Sequence, residues 1–163
     1  VTTLAVTGHI DLTEDSIPLI RGALADLLTR YTTDGRLIGV SCLAQGADSL
    51  FAEAVLAAGG RLIAVIPSQD YRRHKVGPDQ APLFDHFVES AEEVLVLPHE
   101  TANRQAYEAA NTVLLRRADR LVAVWNGQPP TGKGGGTADT VLEARATGIP
   151  VDVVWPEGAA RRG

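Results

Sequence analysis

The chain has 163 residues, 45% of them hydrophobic, with 15 Lys and Arg against 20 Asp and Glu for a net charge of −5. That length suits one packed domain, and the acidic balance provides no global positive field for coating nucleic acid, which is not an expected partner. Its one cysteine, Cys42, excludes an internal disulfide; no apolar run approaches the roughly 20 residues of a membrane span, and no basic leader with a cleavage site precedes the first strand, so a soluble cytoplasmic protein is expected.

Short Val/Leu/Ile-rich runs alternate with longer amphipathic ones, the pattern of a mainly parallel sheet covered by helices on both faces. Strands are expected at Thr3–Thr7, Leu37–Ser41, Arg61–Ile66, Glu93–Leu97, Arg120–Trp125 and Val151–Trp155. The first helix runs from about Asp15 to Tyr31 with Ile17, Ile20, Leu24, Leu27 and Leu28 on one face, and Pro18 fits only within its first turn. A second helix starts with Asp48 as its N-cap and stops at Gly59-Gly60. Further helices are expected over about Gln80–Ala91, over about Ala102–Arg117 with Tyr107, Ala110, Val113 and Leu114 inward, and from Thr137 onward. Residues 157–163 read as a flexible tail, leaving residues 1–156 as the domain.

Two connections are longer than such units need, Pro67–Asp79 and Asn126–Gly136, and both follow strand C-termini, the edge where open α/β sheets bind ligands. The second holds Gly134-Gly135-Gly136-Thr137. Glycines allow close approach of the backbone, and the helix turn behind them offers free N–H groups, so a phosphate is the ligand to expect there. Lys133 is placed to reach it. The stretch Gly127 to Gly134 has P-loop spacing, but Gly134 stands where a Ser or Thr would hold Mg²⁺ and two prolines restrict the loop, which argues against a nucleoside-triphosphatase.

The first strand ends in Thr7-Gly8-His9-Ile10-Asp11, offering Gly8 as a rest for phosphate or ribose and His9 and Asp11 as titratable groups. At the second strand end, Ser41 and Gly46 form a second candidate cradle, or simply a short turn with Asp48 as the cap. Cys42 reads as a small buried apolar residue. Asn111 carries an amide suited to a base or ribose, and Arg117 suits a helix C-terminus. The cluster Tyr71-Arg72-Arg73-His74-Lys75 reads either as a phosphate-clamping lid or as a solvated loop. The four histidines lack ligand spacing, so neither a metal nor another cofactor is expected.

Val-Thr-Gly8-His9-Ile-Asp11-Leu, Ser41-Cys-Leu-Ala-Gln-Gly46-Ala-Asp-Ser-Leu, Tyr107-Glu-Ala-Ala-Asn111 leading to Arg117-Ala-Asp-Arg-Leu-Val-Ala-Val-Trp, and Gly134-Gly-Gly-Thr137 occur in that order. The series resembles the SLOG superfamily, which includes Lonely Guy-type phosphoribohydrolases, DNA-processing protein A and molybdenum-cofactor carriers. The resemblance spans roughly residues 3 to 155. It implies a single-domain, Rossmann-like three-layer sandwich with about six strands, a nucleotide or nucleotide-derived ligand at the strand C-terminal edge, and a homodimer. The phosphoribohydrolases carry Pro-Gly-Gly-x-Gly-Thr-x-x-Glu at the phosphate loop, whereas Thr140 stands three residues after Thr137 here. Cleaving an N-glycosidic bond needs a fixed carboxylate against positive charge on the ribose. Asp139, Glu143 and Asp11 are the candidates, and none matches the family position. A sensor or binding domain is therefore the leading expectation, a phosphoribohydrolase the alternative, and a cofactor carrier or DNA-associated module the third.

Overall fold

A computed structural model describes residues 1–33, 35–132, 134 and 136–163. The first strand, β1 (Thr2–Gly8), lies at the centre of the sheet, because its Leu4 and Val6 face one helical layer and its Ala5 the other, all fully or nearly fully buried. This two-residue alternation, with both faces apolar, is what a central parallel strand requires. The remaining strands are β2 (Leu37–Ser41), β3 (Arg61–Ile66), β4 (Glu93–Val96), β5 (Arg120–Val124) and β6 (Val151–Val153). The six stand in the order β4-β3-β2-β1-β5-β6, and every neighbouring pair is parallel. Strand order reverses between β1 and β5, so their C-terminal ends flank the crevice where such sheets hold ligands.

Helices α1 (Ser16–Thr32) and α2 (Ala47–Ala57) cover one face. Ile20, Leu24, Leu27 and Leu28 of α1 are buried at helical spacing, and Pro18 falls in the first turn, where no intrahelical N–H bond is lost. α4 (Ala81–Ser90) extends this layer, inserting Phe84 and Phe87 beside Leu62 and Ala64. The opposite face carries α5 (Arg104–Arg117) and α6 (Thr137–Ala146), whose Ala110, Leu114, Val141 and Ala144 pack with Ala5, Val40 and Ile63. The result is the three-layer, Rossmann-like sandwich expected from the sequence.

Three local features differ from the sequence expectations. Within Pro67–Asp79 a five-residue helix forms, α3 (Tyr71–Lys75), anchored by Tyr71, whose residual exposure is 3%. Ser68 Oγ donates to Asp70 Oδ1 at 2.6 Å and the Ala102 N–H donates to the same oxygen at 3.1 Å, so this segment is bound to the start of α5. The N-cap of α2 is Gly46, at φ +79°, and Asp48 lies inside the first turn. Its side chain turns back to accept the Ala44 N–H at 3.3 Å, closing the loop that it was expected to follow. Lastly, the C-terminal residues expected as a flexible tail return to the start of α1. Thr13 N–H donates to the Ala160 carbonyl at 3.1 Å and Arg162 N–H to the Asp11 carbonyl at 2.7 Å. Ala160 N–H also donates to the buried Ser16 Oγ at 2.7 Å.

Candidate functional site

The C-terminal strand ends enclose a cavity of about 770 Å³, within the size range of small-molecule sites. It extends from the N-terminus of α6 beside β5, across the end of β1, to the end of β2 and the inner side of α3. At the parallel-strand spacing of about 4.8 Å, the step from β5 to β2 covers roughly 10 Å.

Two glycines allow the walls of the crevice to close. A Cβ on Gly8 would collide with the Cβ of Ala47 and lie 2.9 Å from that of Val124, so α2 meets β1 only over a bare backbone. Gly46 has φ +79°, and a Cβ there would stand 2.7 Å from the His9 carbonyl oxygen. The Ala47 N–H donates to that same carbonyl at 3.2 Å, joining the two turns. Gly8 lines the cavity; Gly46 acts behind its wall. Ser41, fully buried, also supports from behind: its hydroxyl donates to the Asp48 carbonyl at 3.2 Å and accepts the Leu43 N–H at 3.1 Å.

His9 lines the cavity at the strand-order reversal. Its Nε2 accepts the Asn126 N–H at 3.1 Å, which requires a neutral imidazole with its proton on Nδ1, and its ring packs edge-on against Trp155. Burial, aided by the nearby Arg161 guanidinium, holds its pKa below the ordinary histidine value. Arg161 projects from the returning C-terminus into the cavity lining and donates through Nε to Asp11 Oδ1 at 2.8 Å. Burial pushes the Asp11 carboxyl up, but the bond and charge of Arg161 outweigh it, and the group titrates below its usual range.

At the α6 end, Gly136, Thr137 and Asp139 line the cavity. The Asp139 carboxylate folds back to accept the Gly136 N–H at 3.1 Å. Glu143, one turn further along, accepts the Thr112 hydroxyl at 3.2 Å and is not among the cavity-lining residues. Gly134 has φ +76°, and a Cβ there would collide with the Arg104 guanidinium, which brings a cation to the glycine run. Lys133 and Gly135, both expected at the phosphate, lie outside the described residues. The structure thus brings Gly8, His9, Asn111, Gly136, Thr137 and Asp139 to one cavity, with Ser41, Gly46, Glu143 and Asp11 outside its lining.

Sequence reasoning did not assign the opposite end. Tyr71, Phe84 and Tyr107 form an aromatic cluster there, with Tyr71 centroids 6.1 Å from Phe84 and 6.5 Å from Tyr107. Asp48 lines the same cavity, close enough to Tyr71 to interact with it electrostatically, and is partly exposed, with its Oδ2 on the Ala44 N–H. Burial raises its pKa to about 7, partly offset by that N–H. Burial also pushes the Cys42 thiol and the Tyr71 hydroxyl well above their usual values. Lys75, the last residue of α3, reaches the same cavity, while Arg72 pairs with Asp85 at 2.7 Å on the exposed side. Arg117 pairs with Glu93 at 2.6 Å. Among the described residues no group of three or more His, Cys, Asp or Glu side chains comes together as a metal site, and no helix is long and apolar enough to cross a membrane.

No protein-family model matches the sequence, and no curated protein matches it significantly. Solved structures do resemble it. DNA processing protein A from Streptococcus pneumoniae superposes with a TM-score of 0.69 at 19% identity, over 96% of this chain and 51% of that one. The chain therefore spans about half the length of that relative. DNA processing protein A from Helicobacter pylori, described for its single-stranded DNA binding, gives 0.68 at 15% identity over 98% and 68% of the two chains. The molybdenum cofactor binding protein of Rippkaea orientalis gives 0.57 at 17% identity over 93% and 75%. These likenesses show that the chain shares the Rossmann-like fold of these proteins, with its ligand-sized cavity at the strand-order reversal.

Proposed function

We propose that this domain binds a nucleotide or nucleotide-derived ligand, its phosphate at the N-terminus of α6 and its base among Tyr71, Phe84 and Tyr107. The observation that carries the reading is the single cavity joining these two ends across β1. Helix N-terminal N–H groups suit an anion, an aromatic cluster suits a flat base, and a separation of roughly 10 Å, two strand spacings, suits a nucleoside monophosphate lying over the sheet edge.

Binding without turnover is the better-supported form. Of the carboxylates considered for N-glycosidic hydrolysis, Glu143 and Asp11 lie outside the cavity lining, and Asp139, which lines it, does not stand at the phosphoribohydrolase glutamate position. The single-stranded DNA binding described for one structural relative is not favoured here, because the chain is acidic overall and only 5% aromatic.

Incubation with a panel of nucleoside monophosphates, following thermal unfolding and released base together, tests the reading. A ligand at one hundred times its Kd adds about 2.7 kcal/mol, on the order of 5–10 °C for a chain of this size. A shift of that order without free base is expected. Base release at catalytic rates would replace the binding reading with the hydrolase, and no shift with any nucleotide would contradict both.

A further inference from the structure

We propose, resting on the nucleotide reading above, that Asp48 is a specificity residue that selects a guanine-type edge, a ring N–H beside an exocyclic amine, and disfavours adenine. The cavity end that suits a base is apolar and aromatic, and Asp48 is its acidic group. Oδ2 accepts one long hydrogen bond from the Ala44 N–H at 3.3 Å, while Oδ1 has no hydrogen-bond partner among the described residues. A carboxylate with acceptor capacity left over on both oxygens is matched by two parallel N–H donors. Guanine and pterins present that pair; adenine offers one donor beside a ring acceptor on the same edge.

The titratable groups facing Asp48 do not supply a second negative charge. Cys42 at the end of β2 and Tyr71 on α3 are kept neutral by burial, and the cations of the cavity lining are Lys75 on α3 and Arg161, which pairs with Asp11. With a carboxyl that titrates at about 7, the recognition also depends on pH. Ionised, Asp48 accepts twice and fits guanine. Protonated, it donates once and accepts once, which fits the ring nitrogen and amine of adenine.

The test is calorimetric titration with GMP, IMP, XMP, AMP and dihydroneopterin monophosphate at pH 8 and pH 6, on the full chain and on Asp48→Asn. At pH 8 GMP is expected to bind at least tenfold more tightly than AMP, with IMP between them, and the gap is expected to narrow at pH 6. Asn can still accept the Ala44 N–H while presenting an amine, so the variant is expected to keep its fold and to prefer XMP, whose O2 is an acceptor, over GMP. The relative affinities of GMP and the pterin assign the source of the shared edge. Equal binding of AMP and GMP at pH 8, or an Asp48→Asn protein that still ranks GMP above XMP, overturns the role of Asp48 and leaves the nucleotide reading standing. Absence of binding by all five ligands overturns both.

Discussion

The backbone N–H of Asn126 donates to Nε2 of His9 at 3.1 Å, tying the end of β5 to the end of β1 where the strand order reverses. That bond defines the tautomer of a buried imidazole and holds the two sides of the crevice together. The backbone N–H of His9 reinforces it by donating to the Val124 carbonyl at 3.2 Å. A positively charged His9 could not accept the Asn126 N–H, so the crevice in this form belongs to neutral histidine.

Burial depresses the pKa of His9, and Arg161 depresses it further. Replacing Arg161 by Ala removes one of these causes, so the His9 pKa is expected to rise, read by NMR titration of its ring protons. The same substitution is expected to raise the pKa of Asp11, which loses its ion pair. An unchanged His9 titration would show that the returning C-terminus does not pack beside it in solution.

The glycines at the first two turns have a packing role that substitution can measure. Gly8→Ala forces a methyl group into Ala47 and Val124, and overpacking of this kind costs about 1–3 kcal/mol. Gly46→Ala forces a side-chain-bearing residue into a positive-φ region that glycine alone readily adopts, at roughly 1–3 kcal/mol, and adds a clash with the His9 carbonyl. Both variants are expected to unfold at lower urea concentration than the parent, whereas Gly22→Ala, with open space around it inside α1, is expected to be neutral or stabilising.

The raised pKa of Asp48 has a stability consequence of definite sign. The unfolded carboxyl ionises near its ordinary value of 3.8, while the folded one holds its proton to about 7, so the folded form binds more protons between these values. Stability is therefore lost as pH rises from about 4 to about 7, by at most about 4 kcal/mol. Asp48→Asn removes this penalty, and the difference in urea midpoint between variant and parent is expected to grow across that window. A difference independent of pH would contradict the burial of an ionisable Asp48.

Ser41 holds the turn that carries Asp48, through bonds to the Asp48 carbonyl and the Leu43 N–H. Ser41→Ala leaves the buried Leu43 N–H without this acceptor and is expected to cost about 1–3 kcal/mol. It is also expected to weaken ligand binding although Ser41 lies outside the cavity lining. Unchanged affinity in a destabilised Ser41→Ala protein would separate the turn from recognition.

The strands were legible because each central one is an apolar run bounded by turn residues, and the face of α1 because Ile20, Leu24 and Leu28 recur at helical spacing. The edge strands β4 and β6 read as doubly buried, yet Val94, Val96 and Val153 are exposed, since an edge position is a property of strand order that composition does not carry. The same limit applies at the site. Gly8 and Gly46 read as ligand rests from their place after strands, whereas contacts with Ala47 and the His9 carbonyl give them their packing role. Asp48 read as a helix cap because Asp at a helix start commonly is one; its inward turn toward Ala44 depends on tertiary burial. Arg161 reached the cavity from a segment whose composition suggested only a tail.

The most direct test of the nucleotide reading is to follow the amide resonances of Thr137 and Ala138 while adding GMP and, separately, guanosine. The phosphate placement at α6 leads to large shifts of both amides with GMP, little change with guanosine, and at least tenfold weaker binding of the nucleoside. Equal affinity for the two, or GMP shifts that leave the start of α6 untouched, would contradict it.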